Sequence, residues 1–125
     1  MKSKRSKATD LSNKVKQEVF ERDKRQCIYC YGGRDEYEEK VINGRKKMAR
    51  AFYSPLPNAH FISRQKGGLG IAENVVTLCM LCHHDFDNGD KKDIGNVIEN
   101  YLKNYYGDEW NKEKLVYKKG DVYER

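Results

Sequence analysis

Apolar positions recur at helical spacing near both ends of the chain and at strand spacing in the middle. Val15, Val19 and Phe20 fall on one face, with Lys14, Lys16, Glu18 and Glu21 outside. Asp10 or Ser12 stands where an N-cap is needed, so a first helix is expected that ends before Cys27. Far along the chain, Ile94, Val97, Ile98, Tyr101, Leu102 and Tyr105 repeat at i, i+3, i+4, i+7, i+8 and i+11, which predicts a helix over residues 93–106. That stripe is core packing and is assigned no chemistry. Between the two, residues 59–63 and 74–78 are short, apolar and partly β-branched, and they predict two strands. Residues 65–70 hold three glycines in six positions and predict an irregular loop between those strands. Residues 81–88 are expected to form a helix that stops at Gly89.

Other stretches are read from turn chemistry. Tyr31-Gly32-Gly33 predicts a tight turn, and the acidic run over residues 35–39 an exposed segment. Val41-Ile42-Asn43-Gly44 suggests a hairpin whose returning strand covers residues 48–53, since Asn-Gly accepts the positive φ angles of a type I′ turn. Pro55 and Pro57 then break the pattern. Trp110 and Leu115-Val116-Tyr117 are expected to make a small flap or edge strand. No internal repeat or low-complexity tract is present.

Length and charge narrow the class. At 125 residues the chain makes one domain, and 25 Lys and Arg against 19 Asp and Glu give +6. Lys2, Lys4, Arg5 and Lys7 crowd into the first residues, so residues 1–9 are read as a basic flexible tail and residues 10–125 as a single domain. The charge favours a polyanionic partner, although a tail of this kind is also simply solvated. No apolar run of about 18 residues exists and no signal-type segment is seen, so neither membrane insertion nor secretion is indicated. A cytoplasmic protein is expected. In a reducing compartment, four cysteines in two pairs point to zinc thiolates rather than disulfides.

The pairs themselves are Cys27-Ile28-Tyr29-Cys30 and Cys79-Met80-Leu81-Cys82. Two thiolates two residues apart fit adjacent corners of a tetrahedral zinc, and two such pairs fill all four. A site filled that way is structural, because no position is left for water. The three histidines, His60, His83 and His84, lie between the pairs or just after the second.

These residues resemble the HNH (ββα-metal) endonucleases, in particular the small phage-type members with a four-cysteine zinc site. The matching stretches are Val19-Phe20-Glu21-Arg22-Asp23 before the first pair, Ala59-His60-Phe61-Ile62-Ser63-Arg64, Gly67-Gly68, and Asn74-Val75-Val76-Thr77-Leu78 leading into the second pair and His83. They span residues 15–90, with the core motif at about 27–90 and a C-terminal helix and flap at about 91–125. The resemblance implies an α+β fold, a small ββα-metal domain stapled by zinc on Cys27, Cys30, Cys79 and Cys82, with helices flanking it.

The resemblance also implies a chemistry. His60 would be the general base that deprotonates water, its plainer alternative being a buried histidine satisfied by a backbone bond. Asn74 would hold the glycine-rich loop and so orient the base. His83 would ligate a catalytic divalent ion, Mg2+ or Mn2+, and Asp87, one helical turn on, resembles a second ligand. His84 points away and is read as packing or a phosphate contact. The family often has Asp or His immediately before the base, and here that position is Ala59; Asn58 is a candidate substitute. Arg64, Lys66, Lys91 and Lys92 would border the site and contact the backbone of double-stranded DNA, which positions without reading sequence. Hydrolysis would leave 5′-phosphate and 3′-hydroxyl ends, and the likeness to phage proteins hints at a packaging partner. A zinc-stapled nucleic-acid-binding module without cleavage is the alternative, for which Ala59 is the best sign. A dithiol redox protein would need Cys-x-x-Cys at a helix N-terminus in a βαβ setting, which neither pair has.

Overall fold

The computed structural model describes residues 3–31, 58–89 and 91–119. The hairpin expected over residues 41–53, the turn at Gly32 and Gly33, the acidic run and both prolines lie outside the described residues.

Five helices and two strands are present among the described residues: α1 (Lys4–Thr9), α2 (Asn13–Arg22), α3 (Ile28–Tyr31), β1 (Asn58–His60), β2 (Val75–Thr77), α4 (Met80–Asn88) and α5 (Lys91–Tyr106). The protein is a small α+β fold in which the two strands form an antiparallel sheet with Asn58 opposite Thr77, Ala59 opposite Val76 and His60 opposite Val75. Helix α2 starts where Ser12 accepts from the Val15 N–H at 3.2 Å, which settles the cap between the two candidates. Asp10 instead closes α1, its N–H donating to the Ser6 carbonyl.

That helix stands, over Lys4–Thr9, where a flexible tail is expected. Ser3 caps α1 by accepting from the Ser6 N–H at 3.1 Å, and Ala8 and Thr9 are buried. Basic side chains hid the two small residues that anchor the segment. Both strands are shorter than expected, for a visible reason. Past His60 the ladder continues for one bond, Phe61 N–H to the Asn74 carbonyl at 2.7 Å, and then the Asn74 side chain takes over the pairing. Helix α5 begins two residues before the expected start.

The main core joins the four cysteines to Ile28, Ala59, Val76, Leu78, Phe86, Trp110, Leu115 and the α5 stripe of Ile94, Ile98 and Leu102. Those three α5 side chains are fully buried, each contributing about 1.5–3 kcal/mol relative to exposure. A smaller cluster packs Val15 and Val19 of α2 on Ala72 and Val75. Between α2 and the sheet runs a polar network. Arg22 donates to the carbonyls of Ala72 and Val75, to the Tyr106 hydroxyl and in fork fashion to both oxygens of Asp23. Asp23 also accepts from the Thr77 N–H at 2.8 Å and the Tyr101 hydroxyl at 2.6 Å. The network ties α2, β2 and α5 together with both charges paired, which a buried ion pair requires.

The glycine-rich loop is more ordered than its composition suggested. Leu69 N–H donates to the Leu115 carbonyl and Tyr117 N–H to the Gly67 carbonyl, each at 2.7 Å, and Gly68 pairs with Val116. The expected flap is therefore the loop's partner. Trp110 braces it by donating from Nε1 to the Glu73 carbonyl at 2.8 Å. A Cβ at Gly68 would stand 1.6 Å from the Ile62 carbonyl oxygen, so only glycine fits there.

Candidate metal centre and histidine site

Each cysteine pair sits where a loop turns into a helix. Cys27 precedes α3 and Cys30 lies within it, while Cys79 caps α4 and Cys82 lies in its first turn. The i, i+3 spacing across a helix start brings the two sulfurs of a pair together, and packing of the two helices brings the pairs together. All four cysteines are buried and free of disulfides, and their sulfur atoms lie within 4.8 Å of one another. Cys30 Sγ and Cys82 Sγ are 3.6 Å apart. Four thiolates at about 2.3 Å from a central zinc would be separated by slightly under 4 Å, so the donor set and its spacing fit a metal ion such as zinc.

Within the cluster the thiols shift one another: hydrogen bonding to Cys30 lowers the Cys27 thiol and bonding to the other three lowers Cys79, while Cys27 and Cys79 raise Cys30 and the other three raise Cys82. Four negative sulfurs in a buried pocket repel one another, and a divalent cation is what lets all four lose their protons.

His60 ends β1, and its Nε2 lies 2.9 Å from the Thr9 carbonyl oxygen. A carbonyl only accepts, so Nε2 carries the hydrogen and Nδ1 keeps its lone pair. The bond is the backbone partner expected of a structural histidine, but it leaves the second nitrogen in basic form. Burial pushes the His60 pKa below its ordinary 6.5; the Thr9 bond opposes this, Arg64 adds to it, Asp10 opposes it and His83 adds to it. The balance favours the neutral ring.

Asn74 is fully buried. Its Oδ1 accepts from the Ile62 N–H at 2.9 Å, and its Nδ2 donates to the carbonyls of Ile62 at 3.1 Å and Leu69 at 2.9 Å. One amide therefore locks the segment after His60 to the glycine-rich loop.

His83 and Asp87 face each other along α4, with His83 Nδ1 3.0 Å from Asp87 Oδ2 and side chains 32% and 53% exposed. Pairing at Nδ1 leaves Nε2 as the ring nitrogen open to a ligand, with the carboxylate behind it. Among the described residues these two do not belong to any group of three or more metal donors; the four cysteines do. His84 is exposed beside Asp85. Ala59 is buried and offers no donor, whereas Asn58 shares the His60 face of β1 by strand alternation, and its Nδ2 is buried with no hydrogen-bond partner among the described residues.

The basic candidates divide. Arg64 pairs with Asp10, so its charge is partly compensated. Lys66 is exposed on the same 3-10 turn, Ser63 capping it. Lys91 and Lys92 are exposed in the first turn of α5, Lys91 with its Nζ 5.9 Å from the centre of the Phe86 ring. Sequence reasoning missed Arg5, Thr9 and Asp10, which reach the site from more than fifty residues away. The available signal was faint: a Ser cap and the pair Ala8-Thr9 inside a basic run. No helix among the described residues is long and apolar enough to cross a membrane. The chain matches none of the known family models, curated proteins or solved structures with which it was compared.

Proposed function

We propose that the protein is a metal-dependent endonuclease that hydrolyses DNA phosphodiester bonds, with a structural zinc on Cys27, Cys30, Cys79 and Cys82. The observation that carries the reading is the state of His60. It sits at the end of a two-stranded sheet, its Nε2–H held by the Thr9 carbonyl, its Nδ1 basic and its pKa lowered, so it can take a proton from water at neutral pH. Asn74 fixes the loop beside it, and helix α4 presents His83 with Asp87 behind. His83 would hold the second divalent ion through Nε2, with Asp87 bonded to Nδ1 behind it, and so few protein donors suit Mg2+ or Mn2+, which keep several waters and substrate oxygens in their shells. When bound, such an ion stabilises negative charge on the phosphate and on the departing 3′ oxygen. Lys66, Lys91, Lys92 and Arg64 would meet the DNA backbone. A phage packaging role stays with the family likeness alone.

A second reading, a zinc-stapled nucleic-acid-binding module without cleavage, is favoured by one feature. Ala59 faces the core where relatives in the resembled family often carry a ligand. Incubating supercoiled plasmid with purified protein, with and without Mg2+ or Mn2+, separates the two. Nicked or linear DNA that appears with the native chain and not with His60→Ala supports the nuclease; intact but retarded DNA supports the binding module.

A further inference from the structure

Helix α1 reaches across to the histidine site and is held there at four points. The Thr9 carbonyl accepts from His60 Nε2, the Ala8 carbonyl accepts from the Gly70 N–H at 3.0 Å, Arg5 Nη2 donates to the Gln65 carbonyl at 2.8 Å, and Asp10 pairs with Arg64. Three of those contacts end on the segment 64–70 that Asn74 clamps, and the fourth ends on the imidazole. Its buried residues, Ala8 and Thr9, belong to neither apolar cluster of the described residues. Gly70 is shaped to receive it, since a Cβ there would stand 2.0 Å from the Asp10 carbonyl oxygen and 3.0 Å from that of Thr9.

We propose that residues 3–10 are a strap that positions His60, with Arg5 and Asp10 as its positioning residues, an inference that rests on His60 being the base. The strap works through the ring's tautomer. With the Thr9 carbonyl in place the hydrogen is kept on Nε2 and the lone pair on Nδ1; without it, the neutral ring distributes its hydrogen between the two nitrogens and loses its fixed orientation. Arg5 and Asp10 act at a distance from the imidazole, by holding the carbonyl against it. They touch neither water nor phosphate in this role.

The test uses the full chain carrying zinc. Long-range nitrogen–proton NMR correlations report the tautomer of each histidine, and the His60 signal is identified by its absence in His60→Gln. The native protein should show His60 as one tautomer, protonated at Nε2. Gly70→Ala should wedge the strap away, mixing the tautomers and lowering kcat on plasmid by about 10²-fold, the loss typical of a small misplacement of a catalytic group. KM should change less, and zinc content should stay the same. Arg5→Ala and Asp10→Asn should do the same in smaller measure, and together they decide the matter if Gly70→Ala fails to fold. A His60 that keeps a single Nε2–H tautomer and native kcat in the Arg5→Ala, Asp10→Asn double variant overturns the strap. Tautomer mixing in a protein that never cleaves DNA upholds the strap and overturns the nuclease reading instead, so the two failures are distinguishable.

Discussion

The cysteine centre and the histidine site share β1, β2 and α4 as neighbours and obey opposite rules. The cysteines are buried at the middle of the main core, close together, and provided by two short motifs each of which turns from a loop into a helix. The histidines are partly exposed, on β1 and α4, and depend on partners drawn from α1 and from α4 itself. One region is closed and the other is open. The lesson is that local spacing brings the two sulfurs of each pair together and helix packing then joins the pairs, whereas His60 needs a carbonyl from a distant part of the chain to choose its proton.

The contrast can be broken most severely at the staple. Cys30→Ser or Cys82→Ser removes one corner of a site worth on the order of 10 kcal/mol of apparent binding energy, so folding itself should fail. Circular dichroism and zinc analysis check this: native protein should hold about one zinc per chain, and the variants should hold none and melt without cooperativity. A metal-free variant that still melts cooperatively would remove the distinction between the regions.

At the open site the expected loss is in turnover alone. His60→Ala should lower plasmid cleavage by roughly 10² to 10⁴ while zinc content and melting temperature stay near native. Because the folded-state pKa of His60 lies below 6.5, the acid limb of the native pH profile should have its midpoint below that value and should vanish in the variant. The same shift makes the unfolded chain the better proton binder. This histidine therefore contributes stability that is complete above pH 6.5 and is lost as pH falls through the lowered value.

Arg22→Met tests whether a third kind of centre, polar and buried, sides with the staple. It leaves the Asp23 carboxylate without its cation, and such broken pairs cost about 3–5 kcal/mol. Chemical denaturation should show that loss, with the salt dependence of DNA binding unchanged. The smallest effect is expected at the rim. Lys66→Ala should flatten the slope of log affinity against log salt by about one unit, and Arg64→Ala by less, because Asp10 already offsets its charge. Equal slopes for the two would show that the ion pair opens on DNA.

Those differences also mark how far the sequence could be read. Helices α2, α4 and α5, the two strands and the cysteine cluster follow from caps, periodicity and pair spacing, all of which act within a few residues. Asn74 was singled out by resemblance alone, which named the residue and not its hydrogen bonds to Ile62 and Leu69. The Arg22–Asp23 network was not readable, although both residues stand in the motif. Its partners lie 50 to 84 residues away from Arg22, and no periodicity encodes them. The same holds for α1, whose charged residues suggest solvent until the Thr9 carbonyl is seen against His60. The glycine-rich loop looked irregular because its order comes from Leu115 and Tyr117 rather than from itself.

That last pairing has a consequence for synthesis. The loop beside His60 is stitched at Gly67, Gly68 and Leu69 to residues 115–117, and its other side receives residues 3–10. A ribosome delivers residues 3–10 first and 115–117 nearly fifty residues after the loop. During that interval β1, β2 and both cysteine pairs can have left the tunnel while the loop still lacks one of its two edges, and contacts of such sequence separation are slow to close. The second edge of the loop is therefore closed only after residues 115–117 are made, whereas the two cysteine pairs can meet before that.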